Sequence, residues 1–211
     1  MPESQKQIGP VPARKENEPP APKEVFRNLP LILNEAGGKS MTIVDECFQA
    51  AQAGDAERLK ALLKADPGLA NAENSDGLTL LGYAAHFGHR DAVLALLDSG
   101  ADVNAISHSK IAYIPSNTAL HAALAGERNA DVIRLLLERG ARTDLLDSNG
   151  HTCLHTAAYH DDLVETIRML IAFGADVRAT SGSGETALSL AEKQGNRRVA
   201  ALLREHGAGL V

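Results

Sequence analysis

Aromatic residues are scarce in this chain, and their scarcity narrows the kinds of core that it can form. Only 3% of the 211 residues are aromatic, and tryptophan is absent. Aromatic side chains dominate many cores and line most small-molecule pockets. Apolar residues still make up 44% of the chain, which is ample for a packed interior. A core of alanine and leucine suits thin, closely stacked helices better than a deep ligand pocket.

Cysteines and long apolar runs are also nearly missing. Cys47 and Cys153 lie far apart and show no spacing typical of a disulfide framework, which predicts free thiols in a reducing compartment. No apolar run reaches the length of about 18 residues needed to span a membrane, and the N-terminus lacks the apolar stretch of a secretory signal. We therefore expect a cytoplasmic protein with no membrane partner.

Excess positive charge is absent as well. The formal net charge is -6 at pH 7, and a chain of this sign repels phosphate backbones on average. We expect no nucleic-acid partner.

Proline is concentrated at one end of the chain. Seven of the nine prolines precede residue 31, among lysine, glutamate and glutamine. Such a composition cannot bury enough apolar surface to offset the entropy cost of ordering, so residues 1–40 are predicted to be a disordered, proline-rich extension. The apolar island at residues 25–33 is interpreted either as a weakly attached patch or as a motif that docks on a partner or on this protein's own groove.

A short pattern beginning with threonine recurs through the rest of the chain. The copies begin at Thr79, Thr118, Thr152 and Thr186, and the spacing between successive threonines is nearly constant. A glycine follows each threonine at an equally regular distance, and the four glycines are Gly100, Gly140, Gly174 and Gly207. A period of about 33 residues indicates a solenoid of helical pairs, each burying its apolar face against its neighbours.

Five units result from this period. The first begins upstream of the first threonine motif, because Ala50-Ala51 and Ala84-Ala85 match at an offset of one period. Thr42, with Asp45 three positions later, predicts the N-cap of the first helix. The domain is therefore predicted to span residues 41–211, in units of about 41–74, 75–106, 107–146, 147–180 and 181–211.

One hairpin between units is longer than the others. The stretch from Asn104 to Thr118 exceeds the equivalent stretch from Asp144 to Thr152. Six residues have therefore been added within residues 107–116.

The repeated sequence resembles the ankyrin repeat. The resemblance rests on the pattern Asp-x-x-Gly-x-Thr-x-Leu-His-x-Ala-Ala, closest at Asp147 to Ala158, followed by an apolar helix and Gly-Ala-Asp-Val-Asn at Gly100 to Asn104. It implies an all-α ankyrin-repeat solenoid of stacked helix-turn-helix units with projecting β-hairpin loops. The proline that usually follows the threonine is replaced in all four copies, which weakens the helix start without removing it.

The resemblance also implies a function and a site. Family members bind partner proteins through hairpin tips and through the two residues that end each inner helix. We therefore expect a monomeric, non-enzymatic protein-interaction module without a cofactor, whose concave face and hairpins bind an unidentified protein. Mapped onto this sequence, with the enlarged hairpin added, the partner-binding residues are Ser75, Asp76, Leu78, His86, Phe87, Lys110, Ile111, Tyr113, Asn117, Ser148, Asn149, His151, Tyr159, His160, Glu185 and Lys193.

Two other functions stay open at this point. One is a regulatory or inhibitory accessory subunit of an enzyme or toxin, and the other is a metal- or ligand-binding protein that uses its histidines. The eight histidines form no cluster with the spacing of metal ligands. His121 and His155 occupy the family's histidine position, where the ring is expected to bond locally between neighbouring loops. No nucleophile motif or convergent acid–base pair indicates a catalytic site.

Overall fold

The computed structural model describes residues 41–126, 129–160 and 162–209. The predicted disordered extension, residues 1–40, lies outside the described residues. Ten α-helices and one short 3-10 helix account for the regular structure of the described ranges. The helices are α1 (Ile43–Ala53), α2 (Ala56–Ala65), α3 (Leu80–His86), α4 (Arg90–Asp98), α5 (Ala119–Ala125), α6 (Ala130–Glu138), α7 (Cys153–His160), α8 (Val164–Ala172), α9 (Ala187–Gln194) and α10 (Arg197–Glu205), with the 3-10 helix at Pro67–Asn71.

The helices form five antiparallel pairs that stack in one direction. The odd-numbered inner helices pack in series, α1 on α3, α3 on α5, α5 on α7 and α7 on α9. The outer helices form a second row, in which α2 packs on α4, α4 on α6, and α8 on α10. The hairpins between units contain only two isolated antiparallel bridges in the described residues, Glu73 with Thr79 and Thr180 with Thr186. The predicted all-α solenoid is confirmed.

Threonine starts the inner helices because its side chain satisfies a backbone N–H that has no partner within the helix. The hydroxyl oxygens of Thr79 and Thr186 accept bonds from the N–H groups of Gly82 and Ser189, both over 3.1 Å. Thr42 and Asp45 form the predicted capping box at the start of α1. An N-cap of this kind contributes about 1 kcal/mol, so the regular spacing of threonine along the chain sets where each inner helix begins.

Glycine ends the outer helices in the left-handed conformation. Gly100, Gly140, Gly174 and Gly207 have φ between 87° and 91°, which side chains with a Cβ rarely adopt. The chain therefore turns sharply after each of these outer helices.

The core contains a column of equivalent aliphatic residues from the outer helices. Each unit contributes one residue with at most 1% of its surface exposed, namely Leu59, Val93, Ile133, Ile167 and Val199. Alanine pairs on the inner helices let neighbouring units approach closely, and Ala84 and Ala158 are fully buried. Every unit buries its apolar face only against its neighbours, so the fold needs no large aromatic core.

Candidate functional site

A groove of about 410 Å³ runs along units three to five. One wall comes from the hairpins and the other from the inner helices α5, α7 and α9. Its lining residues are Tyr113, Pro115, Asn117, His121, Ala125, Asp147, Asn149, His151, Thr156, Tyr159, His160, Glu185, Leu190, Lys193 and Gln194.

The enlarged hairpin, residues 107–116, is bound firmly to the hairpin of unit two, and we refer to it as the brace. The His108 N–H donates to the Gly77 carbonyl oxygen over 2.8 Å, and the Lys110 N–H donates to the Asp76 carbonyl oxygen over 2.9 Å. The Lys110 ammonium group donates to the Ser75 carbonyl oxygen over 2.9 Å. Three residues chosen from the sequence as partner contacts, Ser75, Asp76 and Lys110, therefore hold the brace in place.

The brace is bound equally well on its other side. The Ser116 N–H donates to the Ser148 hydroxyl over 3.0 Å, and the Ser148 N–H donates back to the Ser116 carbonyl oxygen over 2.9 Å. At its base, the Asn117 N–H donates to the Ser107 hydroxyl, and the Ser107 N–H donates to the Asn117 carbonyl oxygen, both over 2.9 Å. The six added residues thus join two neighbouring hairpins instead of forming a free loop.

The brace buries one apolar side chain and exposes the next aromatic one. Ile114 is 7% exposed and lines the same small cavity as Leu78 and Tyr83 of unit two. The neighbouring Tyr113 is 51% exposed at the groove wall. Since Ile114 anchors the loop and bonds fix both flanks, the Tyr113 ring is presented with little loss of entropy on binding.

Tyr159, near the end of α7, supplies a second aromatic ring to the groove. Its ring packs edge-to-face on His160, with 5.2 Å between ring centroids. Partial burial raises the pKa of the Tyr159 phenol further above neutral pH, and its hydroxyl can donate a hydrogen bond. Thr156 and the buried Leu190 also line the groove.

Charged residues of both signs line the groove. The buried Asp147 carboxylate accepts bonds from the backbone N–H groups of Asn149 and His151, both over 2.9 Å, and so fixes the turn of unit four. Lys193 on α9 pairs with the Glu185 carboxylate, and the hydrogen bond from Lys193 lowers the pKa of Glu185. Water screens this pair because the Lys193 side chain is exposed, so the pair contributes little stability.

His121 connects α5, and His155 connects α7, to the hairpin of the next unit. The His121 Nε2–H donates to the His151 carbonyl oxygen over 3.1 Å, and the His155 Nε2–H donates to the Glu185 carbonyl oxygen over 3.0 Å. Burial lowers the pKa of both imidazoles, so both stay neutral near pH 7. The expected bonding between neighbouring loops is confirmed, and the two rings support the hairpin wall of the groove.

The structure separates the sixteen residues chosen from the sequence into groups. Eight of them line the groove, namely Tyr113, Asn117, Asn149, His151, Tyr159, His160, Glu185 and Lys193. Lys110, Ile111 and Ser148 line an adjoining hollow of about 330 Å³ beside the brace, together with Asn149. Ser75 and Asp76 lie at the tip of the unit-two hairpin.

Several of the chosen residues are too buried to offer much contact area. Leu78, His86, Asn117 and His160 are between 5% and 9% exposed. They shape the surface from below, while their exposed neighbours form it.

Phe87 lies apart from the groove, in a cluster of rings in unit two. Its centroid is 5.1 Å from that of Tyr83 and 5.2 Å from that of His86, and it stacks on His89 at 6.4 Å. The three aromatic residues chosen from the sequence therefore do not form one surface: Tyr113 and Tyr159 share the groove, while Phe87 packs on its own unit.

Two exposed aliphatic residues beside the hairpins were not among those chosen from the sequence. Ile106 is 42% exposed and Leu146 is 49% exposed. They occupy the same register, one position before Ser107 and Asp147, the residues that begin two adjacent hairpins. The equivalent position in the next unit is Thr180. A large apolar residue at this position in two successive units was a signal that could have identified them.

The described residues contain neither a group of metal ligands nor a membrane-spanning helix. No three histidine, cysteine, aspartate or glutamate side chains within residues 41–126, 129–160 and 162–209 are grouped to hold a metal ion. The histidine-based alternative therefore has no cluster to support it in this part of the chain. Over the same ranges, no helix has the length and apolar character required to cross a bilayer.

Comparisons with known proteins identify the repeats. The family model described as ankyrin repeats (3 copies) matches residues 47–147 and 120–210. Among curated proteins, a probable E3 ubiquitin-protein ligase of rice (Oryza sativa subsp. japonica), XBOS31, is 38% identical over 104 residues. The match covers 49% of this chain but only 22% of the rice protein.

Proposed function

The chain belongs to the ankyrin-repeat family, and from this premise we propose that its groove binds an extended segment of a partner protein without catalysing a reaction. Ankyrin repeats form protein-interaction modules, and the groove of units three to five supplies a specific surface for that role. Only 22% of the rice protein is matched, so nothing in the match assigns its ligase activity to the repeats.

One observation carries the proposal more than any other. The brace is bound on both flanks and presents the exposed Tyr113 ring at a groove that also contains Tyr159. Tyrosine is enriched among the residues that dominate binding energy at interfaces, because it offers a large contact area and a hydroxyl with few rotatable bonds.

A comparison of two variants tests the proposal. The full chain and a Tyr113→Ala/Tyr159→Ala variant are used to capture proteins from a lysate of the source cells, followed by quantitative mass spectrometry. Arg134→Ala serves as a matched control, because Arg134 is exposed on the outer helix α6. Removal of two anchoring rings costs about 2 kcal/mol or more of binding free energy. We therefore expect the Tyr113→Ala/Tyr159→Ala variant, but not Arg134→Ala, to capture at least about tenfold less of a bound partner than the wild type.

Circular dichroism establishes that each variant is folded, so that loss of binding is not loss of structure. If every captured protein is retained by the folded tyrosine variant, the groove is not the binding surface.

A further inference from the structure

The groove has the chemistry of a surface that recognises polyproline II segments. Such segments dock into grooves lined by aromatic rings, whose hydroxyl or N–H groups donate to the exposed backbone carbonyls of the segment. The groove combines two tyrosines, Tyr113 and Tyr159, with Pro115 and the His151 ring. The Tyr159 hydroxyl is a hydrogen-bond donor of this kind.

The dimensions of the groove fit a short segment of this kind. Neighbouring helical pairs are about 10 Å apart, so the inner helices of units three to five span about 20 Å. At a rise of about 3.1 Å per residue, about six residues of polyproline II cover that length.

The chain contains a suitable segment of its own. Residues 18–23 read Glu-Pro-Pro-Ala-Pro-Lys, and seven of the nine prolines of the chain precede residue 31. This segment carries one acidic and one basic end, and the exposed charges of the groove are Lys193 and Glu185, which pair with each other. The polyproline sequence and the covalent tether, rather than charge, therefore favour this occupant.

The segment can also reach the groove. The chain between Pro22 and Met41, the first described residue of the repeats, spans about 60 Å when extended. The groove centre in unit four lies three unit spacings from unit one, a distance of about 30 Å. A tether with length to spare gives an effective concentration on the order of 1 mM.

We propose that residues 18–23 of this chain occupy the groove when no partner is bound, so that a partner must displace them. This inference rests on the proposed function, because it assigns an occupant to the same surface. It makes the N-terminal segment an internal competitor that raises the concentration of partner needed for binding.

Competition with a labelled peptide tests the inference in the full-length chain. The probe is a fluorescent peptide of residues 14–27, and its binding is measured by anisotropy. The two proteins compared are the wild-type chain and a Pro19→Ser/Pro20→Ser/Pro22→Ser variant, which keeps the tether length but not the polyproline sequence. With an effective concentration of about 1 mM and a peptide Kd of about 100 μM, the variant should bind the peptide about tenfold more tightly.

A second variant locates the binding, and the outcomes separate the two proposals. Addition of Tyr113→Ala/Tyr159→Ala to the proline variant should abolish peptide binding. Equal peptide affinity for the wild-type chain and the proline variant overturns the internal competition, although the groove still binds peptides. Absence of peptide binding to either protein also overturns it, while the capture experiment decides the proposed function by itself. Light scattering checks whether the segment binds a second copy of the chain instead. A mass of two chains for the wild type and of one chain for the proline variant would mean that the groove is occupied by the segment of a second copy, which contradicts the inference.

Discussion

The attachment of the brace to unit two gives a sharp prediction about one glycine. Gly77 lies in the hairpin of unit two with φ of 75°, and a Cβ added there would be 2.0 Å from the His108 carbonyl oxygen. The obstacle is backbone, so no side-chain rotation relieves the contact. A Gly77→Ala substitution must therefore push the brace away from the hairpin.

Gly184 provides a matched control in the hairpin of unit five. Its φ is 79°, and an added Cβ would have no atom within 4 Å. The N–H groups of both glycines donate to the carbonyl oxygen of the third residue before them, Asn74 and Ser181, over 2.9 Å. The two positions share one turn geometry, so they differ mainly in what lies beside them.

The expected energies follow from this difference. Alanine in the left-handed conformation costs about 1–2 kcal/mol at either position. In Gly77→Ala, displacement of the brace also weakens the bonds from the His108 and Lys110 N–H groups, and each contributes about 1 kcal/mol. We expect a loss of about 3–4 kcal/mol for Gly77→Ala, against about 1–2 kcal/mol for Gly184→Ala.

Thermal and urea denaturation followed by circular dichroism measure the two losses. For a domain of this size, about 1 kcal/mol corresponds to about 2–4 °C in Tm, so Gly77→Ala should lower Tm by about 10 °C and Gly184→Ala by about 5 °C. Equal shifts in the two variants would refute the reasoning, because they would mean that the brace does not lie against the unit-two hairpin.

Two further predictions concern buried titratable groups. Cys47 and Cys153 are fully buried, and burial raises the pKa of Cys153 to about 12. Neither thiol should therefore react with a disulfide reagent such as DTNB until urea unfolds the chain. Rapid labelling of either thiol in native buffer would contradict this packing. Burial lowers the pKa of His121 and His155 from 6.5, so the unfolded chain binds more protons than the folded chain as the pH falls below that value. The histidines' contribution to the unfolding free energy is therefore complete above about pH 6.5 and is lost at lower pH. Urea denaturation at about pH 7.5 and about pH 5 should show that the unfolding free energy falls less between these pH values in His155→Gln than in the wild type. An identical fall in both proteins would exclude His155 as a source of the pH dependence.

Much of the fold was readable from the repeated residues, for local reasons. The hydroxyl of threonine caps an inner helix, and glycine permits the left-handed turn after an outer helix, in any unit where they occur. The aliphatic residues at three- and four-residue spacing determined which helix faces are buried. These signals depend on neighbours within a few positions, so the sequence carries them directly.

The site was only half readable, because it depends on contacts between units. Counting residues revealed that one hairpin is enlarged, but the path of the brace depends on bonds to Gly77, Asp76 and Ser148, which belong to the hairpins of other units. The inner-helix rule placed His86 and Phe87 on the binding face, whereas the structure packs the Phe87 ring edge-to-face on Tyr83 and His86 of its own unit.

By itself, then, the sequence determined the repeat, the helices and their arrangement in stacked pairs, since each unit repeats the same short-range chemistry. Only the tertiary structure decided which side chains share a surface. Tyr113 and Tyr159 meet at one groove because the brace is bound to both flanking hairpins, and that arrangement arises from packing between units, which no single repeat specifies.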